Sequence, residues 1–103
     1  IEKGSPYLAV FEGLFDALSW EQLEMKETDI LILNSVANLE RALEVFRKYE
    51  VLILGLDNDD SGNLARRKIE KLFPDRTMTL SFKAKDLNDA MRTGETPEVL
   101  RKM

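Results

Sequence analysis

Val51-Leu-Ile-Leu-Gly-Leu-Asp57-Asn-Asp59-Asp60-Ser61-Gly62 is an apolar run that ends in a burst of carboxylates. A run without polar alternation is what a strand buried on both faces requires, and such strands belong to parallel sheets covered by helices. Open α/β sheets bind ligands beyond the carboxyl ends of their strands. Asp57 and Asp59 therefore stand where ligands collect. Tyr7-Leu-Ala-Val-Phe11 is a second such run and ends on Glu12-Gly13, while Asp29-Ile-Leu-Ile-Leu33 ends on Asn34-Ser35. Carboxylates held at two rigid strand tips point to a divalent cation.

Helical spacing fills the intervals between these runs. Leu14, Ala17, Leu18 and Met25 predict a helix after Gly13, and Leu39, Ala42, Leu43, Phe46 and Tyr49 a second. Asp60 or Ser61 is placed to cap a third, with Ala65, Ile69, Leu72 and Phe73 as its apolar stripe, broken by Pro74. Thr77–Phe82 alternates as a fourth strand near a sheet edge. Asp86–Arg92 reads as a short helix closed by Gly94, and Thr96-Pro97-Glu98 as the start of another. Alternating strands and helices predict an α/β fold with a mainly parallel four-stranded sheet and helices on both faces. If Glu12 and Asp57 share one ion, strands one and three must be neighbours, because adjacent strands lie only about 4.8 Å apart. The sheet order is then 2-1-3-4.

Composition narrows the chemistry. A chain of 103 residues fits one domain, 1–103, and its opening at Ile1 suggests that it is cut from a longer protein. It has no cysteine and no histidine, which excludes thiol catalysis, disulfides, cysteine zinc sites and an imidazole base. Oxygen ligands favour Mg²⁺, Mn²⁺ or Ca²⁺. A net charge of −4 argues against a free-standing nucleic-acid binder. No apolar run is long enough for a membrane span, and the lack of cysteine fits a cytoplasmic setting.

Asp57 and Asp59 lie two residues apart, so an extended tip aims both side chains one way and Asn58 elsewhere. Three such carboxylates about 5 Å apart repel by roughly 3 kcal/mol per pair at an effective dielectric near 20. A bound cation reverses that sign. Taken alone, Asp57–Gly62 reads equally as a turn that caps a helix. A calcium loop does not fit, since its twelfth position would be Lys68.

Four segments in register carry a resemblance. Phe11-Glu12-Gly13-Leu14-Phe15-Asp16-Ala17-Leu18-Ser19 resembles the glutamate motif of Toprim domains, and Leu56-Asp57-Asn58-Asp59-Asp60-Ser61-Gly62 their D-x-D motif. Asn34-Ser35-Val36-Ala37-Asn38-Leu39 is similar to the segment between them. Lys85-Asp86-Leu87-Asn88-Asp89 resembles the K-D-x-N-D tail of phage, plasmid and mobile-element primases. The resemblance implies a Toprim (Rossmann-like) three-layer sandwich whose chemistry is phosphoryl or nucleotidyl transfer with Mg²⁺ or Mn²⁺. Glu12 matches the general acid/base, and Asp57 and Asp59 match metal ligands, with Asp60 a further candidate beside them. It implies an enzyme, a DNA primase-like domain that makes RNA primers. Its partners are template DNA and nucleoside triphosphates, reached through the full-length protein with other domains or a helicase; alone it is expected to be monomeric. A Toprim nuclease domain and a non-catalytic interaction module in repair or recombination are the alternatives.

Other candidates keep two readings. Gly13, Lys85, Asp86, Asn88 and Asp89 are candidates for substrate or phosphate binding, although Asp86 and Asp89 equally suit a helix cap and Lys83 and Lys85 a solvated edge. Asp16, Asn34 and Ser35 are candidates for a supporting layer around the site. Arg66, Arg67, Lys68 and Lys71 read as a solvated helix face, and Phe15 and Trp20 as core or domain-interface aromatics.

Overall fold

The computed structural model describes residues 4–23 and 27–101. Strand β1 (Tyr7–Phe11) is followed by α1 (Leu14–Leu23) and β2 (Asp29–Ile32). A 3-10 turn at Val36–Asn38 leads into α2 (Leu39–Phe46), and then come β3 (Val51–Leu54) and α3 (Asp60–Leu72). The chain continues through β4 (Thr77–Ser81), α4 (Leu87–Arg92) and β5 (Glu98–Arg101). Sheet order is β2-β1-β3-β4-β5, with the first four strands parallel and β5 antiparallel to β4.

The period-two alternation of buried strands sorts the core into two layers. Leu8 and Val10 of β1, with Leu52 and Leu54 of β3, face α2 and α3, where Phe46, Ala65 and Ile69 complete one cluster. Ala9, Phe11 and Ile53 point the other way, onto Ala17 and Trp20 of α1 and Leu87 and Ala90 of α4. β1 and β3 are central strands covered on both faces, which is why their sequences are continuously apolar. The expected order 2-1-3-4 holds, and helices cover both faces.

The fifth strand is a correction. Pro97 was expected to open a helix, yet Glu98–Arg101 pairs along β4 with Leu80 opposite Val99. Proline suits the first turn of a helix and the approach to an edge strand alike. Four residues are too few for periodicity to separate them. The need to cover the free edge of β4, a long-range demand, decides the outcome.

Helix α1 also departs from expectation. It buries Asp16, Ala17, Ser19 and Trp20, leaving Leu14, Phe15 and Leu18 exposed at 56%, 70% and 46%. Two of its four buried side chains are polar, so an apolar stripe chosen on hydrophobicity picks the wrong face. Trp20 is in the core, packed near Phe11 and donating its Nε1–H to Thr28 Oγ1 at 2.8 Å. Met25 lies outside the described residues.

Candidate metal centre

The tips of β1 and β3 are fixed by main-chain bonds that continue the sheet past the strand ends. Leu33 N donates to Phe11 O at 2.8 Å and Asn34 N to Glu12 O at 2.9 Å, tying the Glu12 backbone to the end of β2. On the other side Gly55 N donates to Val10 O at 2.9 Å. Beyond β3, Asn58 turns away from its neighbours as alternation requires. Its backbone N donates to Lys85 O at 2.6 Å, and its Nδ2 donates to Phe82 O and Ala84 O, both at 2.7 Å. Asn58 thus clamps the β3 tip to the loop after β4.

Asp59 is the N-cap of α3, in extended conformation, and its Oδ1 accepts from Gly62 N at 2.7 Å. The cap falls one residue before Asp60, where the sequence had placed it. One oxygen satisfies the helix terminus and the second remains for a ligand, so turn former and metal-ligand candidate are one residue. Gly62 is required by space: a Cβ there would lie 2.0 Å from Asp57 O.

Glu12, Asp57 and Asp59 each bring a carboxylate oxygen within 4.8 Å of the others, and all three are half-buried. The cleft that they share, about 400 Å³, is lined also by Gly13, Asp16, Asn34, Ser35 and Ser61. Asp57 Oδ1 is buried with no hydrogen-bond partner among the described residues. Burial, then a hydrogen bond and charge repulsion from Glu12, push the Asp57 carboxyl up to about 7. Asp86 and Asp59 add to the repulsion. Asp16 is 6% exposed and accepts from Asn88 N at 2.9 Å. Burial raises its carboxyl to about 6 despite that bond, with Asp86, Asp57 and Asp89 pushing the same way. Asn34 takes a positive φ of 65° at the cleft wall, a conformation that asparagine tolerates better than most residues.

Several candidates lie elsewhere. Asp60 is exposed at the first position of α3 and outside the cluster of three. Asp86 is the N-cap of α4, its Oδ1 accepting from Asp89 N at 2.8 Å. Asp89 pairs with Arg92 at 3.6 Å on the surface. The Asn88 side chain accepts from Ser19 Oγ at 3.3 Å, while Lys85 is exposed and not among the residues lining the cleft. Among the described residues a Cβ on Gly13 would meet only Asp16 Oδ2, at an ordinary 3.8 Å, so none of them crowds that position. The sequence missed Arg66, which is half-buried rather than part of a solvated face. Only its i, i+3 spacing from Asn63, with which it bonds, was available to hint at this.

A divalent cation fits these residues. The donors are all carboxylate oxygens, suited to Mg²⁺ or Mn²⁺. With one oxygen from each of the three within 4.8 Å of the others, Glu12, Asp57 and Asp59 would be the residues to hold such an ion. The orphaned Asp57 Oδ1 is the atom such an ion would satisfy.

Comparison with known proteins places this geometry. Solved structures of similar fold include the primase fragment of the bacteriophage T7 primase-helicase protein, with TM-score 0.75 and 22% identity over 90% of this chain and 41% of that one. A chain from the T7 lagging-strand DNA polymerase complex, with primase domains bound to an RNA/DNA hybrid and dTTP, gives TM-score 0.72 and 22% identity over 90% and 50%. A small TOPRIM domain protein from Bacillus stearothermophilus gives 0.62 and 21% over 84% and 75%. At such identities the likeness establishes the fold alone, and the chain spans half or less of the two T7 chains. No curated protein matches in sequence. The sequence profile described as Toprim-like matches residues 9–91, and the chain belongs to that family.

Proposed function

We propose that this chain is the metal-dependent nucleotidyl-transfer domain of a DNA primase-like protein, joining nucleoside triphosphates into an RNA primer on template DNA. Replication and mobile-element transfer are the settings that require such a primer. The observation that carries the proposal is the cluster of Glu12, Asp57 and Asp59, with its buried, unpartnered Asp57 oxygen, at the carboxyl ends of two adjacent strands. The T7 primase structures share this fold, and the Lys85-Asp86-Leu87-Asn88-Asp89 segment, which resembles the tail of phage primases, is what favours primase over other phosphodiester chemistry. Because the chain spans 41% and 50% of those chains, template tracking is assigned to flanking domains.

Asp57 and Asp59 would hold Mg²⁺ or Mn²⁺, with Glu12 completing the site. When bound, the ion neutralises non-bridging phosphate oxygens and lowers the pKa of a 3′-hydroxyl. Glu12 would take that proton, a role supported by its half-buried position at the β1 tip and by the Asn34 N bond that fixes its backbone. Asp59 lines the cleft, and its Oδ1 is held by Gly62 N, which leaves its other oxygen for the ion. Gly13, which leads into α1, lines the same cleft, and the N-terminus of that helix would favour a phosphate beside it. Asp16 and Asn88 lock α1 to α4 behind the site.

The test is primer synthesis by the full-length protein on single-stranded template with Mg²⁺ or Mn²⁺. Glu12→Gln should reduce it by about 10²-fold or more, the range for loss of a general base. DNA cleavage without primer synthesis would assign the site to a nuclease. Absence of both activities, with no metal response, would leave an interaction module.

A further inference from the structure

The acidic cleft does not end at its carboxylates. Ser61, the second residue of α3, lines it and also lines an open hollow of about 360 Å³ beside it. Both walls run on from one into the other. On one side Asn34 and Ser35 line the cleft, and Ala37, Leu39 and Glu40, from the 3-10 turn and the start of α2, line the hollow. On the other side Asp57, Asp59 and Ser61 give way to Leu64, Ala65 and Lys68 of α3. Leu64 stands about 4.5 Å along the helix axis from Ser61. The hollow exists because its two walls carry alanines, Ala37 and Ala65, where larger side chains would fill the space. Leu39 is buried, and Leu64 is 63% exposed. Lys68 Nζ pairs with Glu40 Oε1 across the two helices, and both side chains are exposed.

We propose that this hollow is the nucleobase subsite of the acidic cleft: a nucleoside triphosphate whose phosphates meet the metal ion lays its base between Leu64 of α3 and the wall of Ala37 and Leu39. The proposal rests on Glu12, Asp57 and Asp59 being a metal site that takes a triphosphate. A base has apolar faces and an edge of donors and acceptors, and small-molecule sites match that with apolar walls and a few polar groups. Here Leu64 and Leu39 supply the apolar surface, Lys68 offers donors only, and ionised Glu40 offers acceptors only. An exposed ion pair contributes little to folding, so both groups are free to meet the edge of a base. Ser61, at the junction, is left for the ribose that joins phosphate to base. Another hollow shares only Asn34 with the cleft among the described residues. It lies along β2, the edge strand, and not along α3, the helix that Asp59 caps.

Calorimetry and amide NMR shifts on the 103-residue chain with Mg²⁺ test this. The probes are ATP and its abasic counterpart ribose 5′-triphosphate, which carries the same phosphates. ATP should bind at least about fivefold more tightly, a modest part of what burying an apolar side chain gives. The amides of Leu64 and Ala65 should shift with ATP and not with the abasic compound. Leu64→Ser changes an exposed position; it should weaken ATP by about threefold or more and keep ribose 5′-triphosphate within about twofold of wild type. Ala37→Phe, also at an exposed position, fills the hollow and should give the same pattern.

Equal affinity for the two compounds, or a loss in Leu64→Ser that is the same for both, would overturn the subsite while the metal site stands. So would base-dependent shifts at Ile32 and Arg41, which would put the base in the hollow along β2. If neither compound binds with Mg²⁺, the triphosphate site of the proposed function is wrong, and the subsite falls with it. The shifts in wild type need no variant, so they decide even where a variant fails to fold.

Discussion

Asp57 combines features that pull against each other in the metal-free protein: a half-buried carboxylate, a close Glu12 and an oxygen without a donor. Its carboxyl is raised to about 7 and that of Asp16 to about 6, from the usual 3.8 of an aspartate. A raised folded pKa means that the native state binds protons more tightly than the unfolded chain. The stability this contributes is fully present below about pH 4 and is lost as pH rises through 6 and 7. Metal-free thermal melts should show that decline, and Asp57→Asn should flatten its upper part. The same proton must leave when a cation binds. Mg²⁺ affinity should therefore fall about tenfold per pH unit below about 7, measurable by calorimetry as proton release into buffers of different ionisation enthalpy. Gly62→Ala should destabilise the fold by about 1–3 kcal/mol through overpacking, since a new Cβ meets a main-chain oxygen that cannot swing away. It should also weaken metal binding, because that oxygen belongs to Asp57. At Asn34, substitution by glycine should be tolerated, whereas valine should cost about 1–2 kcal/mol at φ 65°, both read by denaturant titration.

At the scale of elements, β1 and β3 were legible because a strand covered on both faces leaves an unbroken apolar signature, and their adjacency followed from asking Glu12 and Asp57 to share an ion. Helices α2 and α3 were legible for a related reason: Leu39, Ala42 and Phe46, then Ala65, Ile69 and Phe73, repeat at the helical period on the buried side. Helix α1 was misread because its buried face carries Asp16, which serves the α4 terminus, and Ser19. The roles of Asp59 as cap, Asn58 as clamp and Arg66 as a half-buried cation depend on partners between 3 and 27 residues away. Spacing along the chain does not reveal such partners. The clamp carries its own prediction. Asn58→Ala removes a donor shared by two carbonyls, Phe82 O and Ala84 O, and should cost about 1–3 kcal/mol in denaturant melts. It should loosen the β3 tip relative to the β4–α4 loop, visible as faster amide exchange at Asn58, whose backbone N–H is bonded to Lys85 O.

Across the whole molecule, the sheet places the acidic cleft at its carboxyl edge, between β1 and β3, where the connections leave on opposite faces: α1 packs on one side and α3 on the other. The crevice at that switch point exists because of topology, and the carboxylates fill it. Two apolar layers hold the tips rigid, so Leu54→Ala in the fully buried core should cost about 2–5 kcal/mol without altering the cluster's residues. A cation bound at ten times its dissociation constant adds about 1.4 kcal/mol to folding, or about 6–11 °C for a domain of this size. Thermal melts of the 103-residue chain at pH 7.5, with chelator and then with millimolar Mg²⁺ or Mn²⁺, put the site to the test. A rise of that size in wild type, absent in Asp57→Asn/Asp59→Asn, is the predicted result. Equal melting with and without metal in wild type, or an undiminished rise in the double variant, would contradict a metal centre built from Glu12, Asp57 and Asp59.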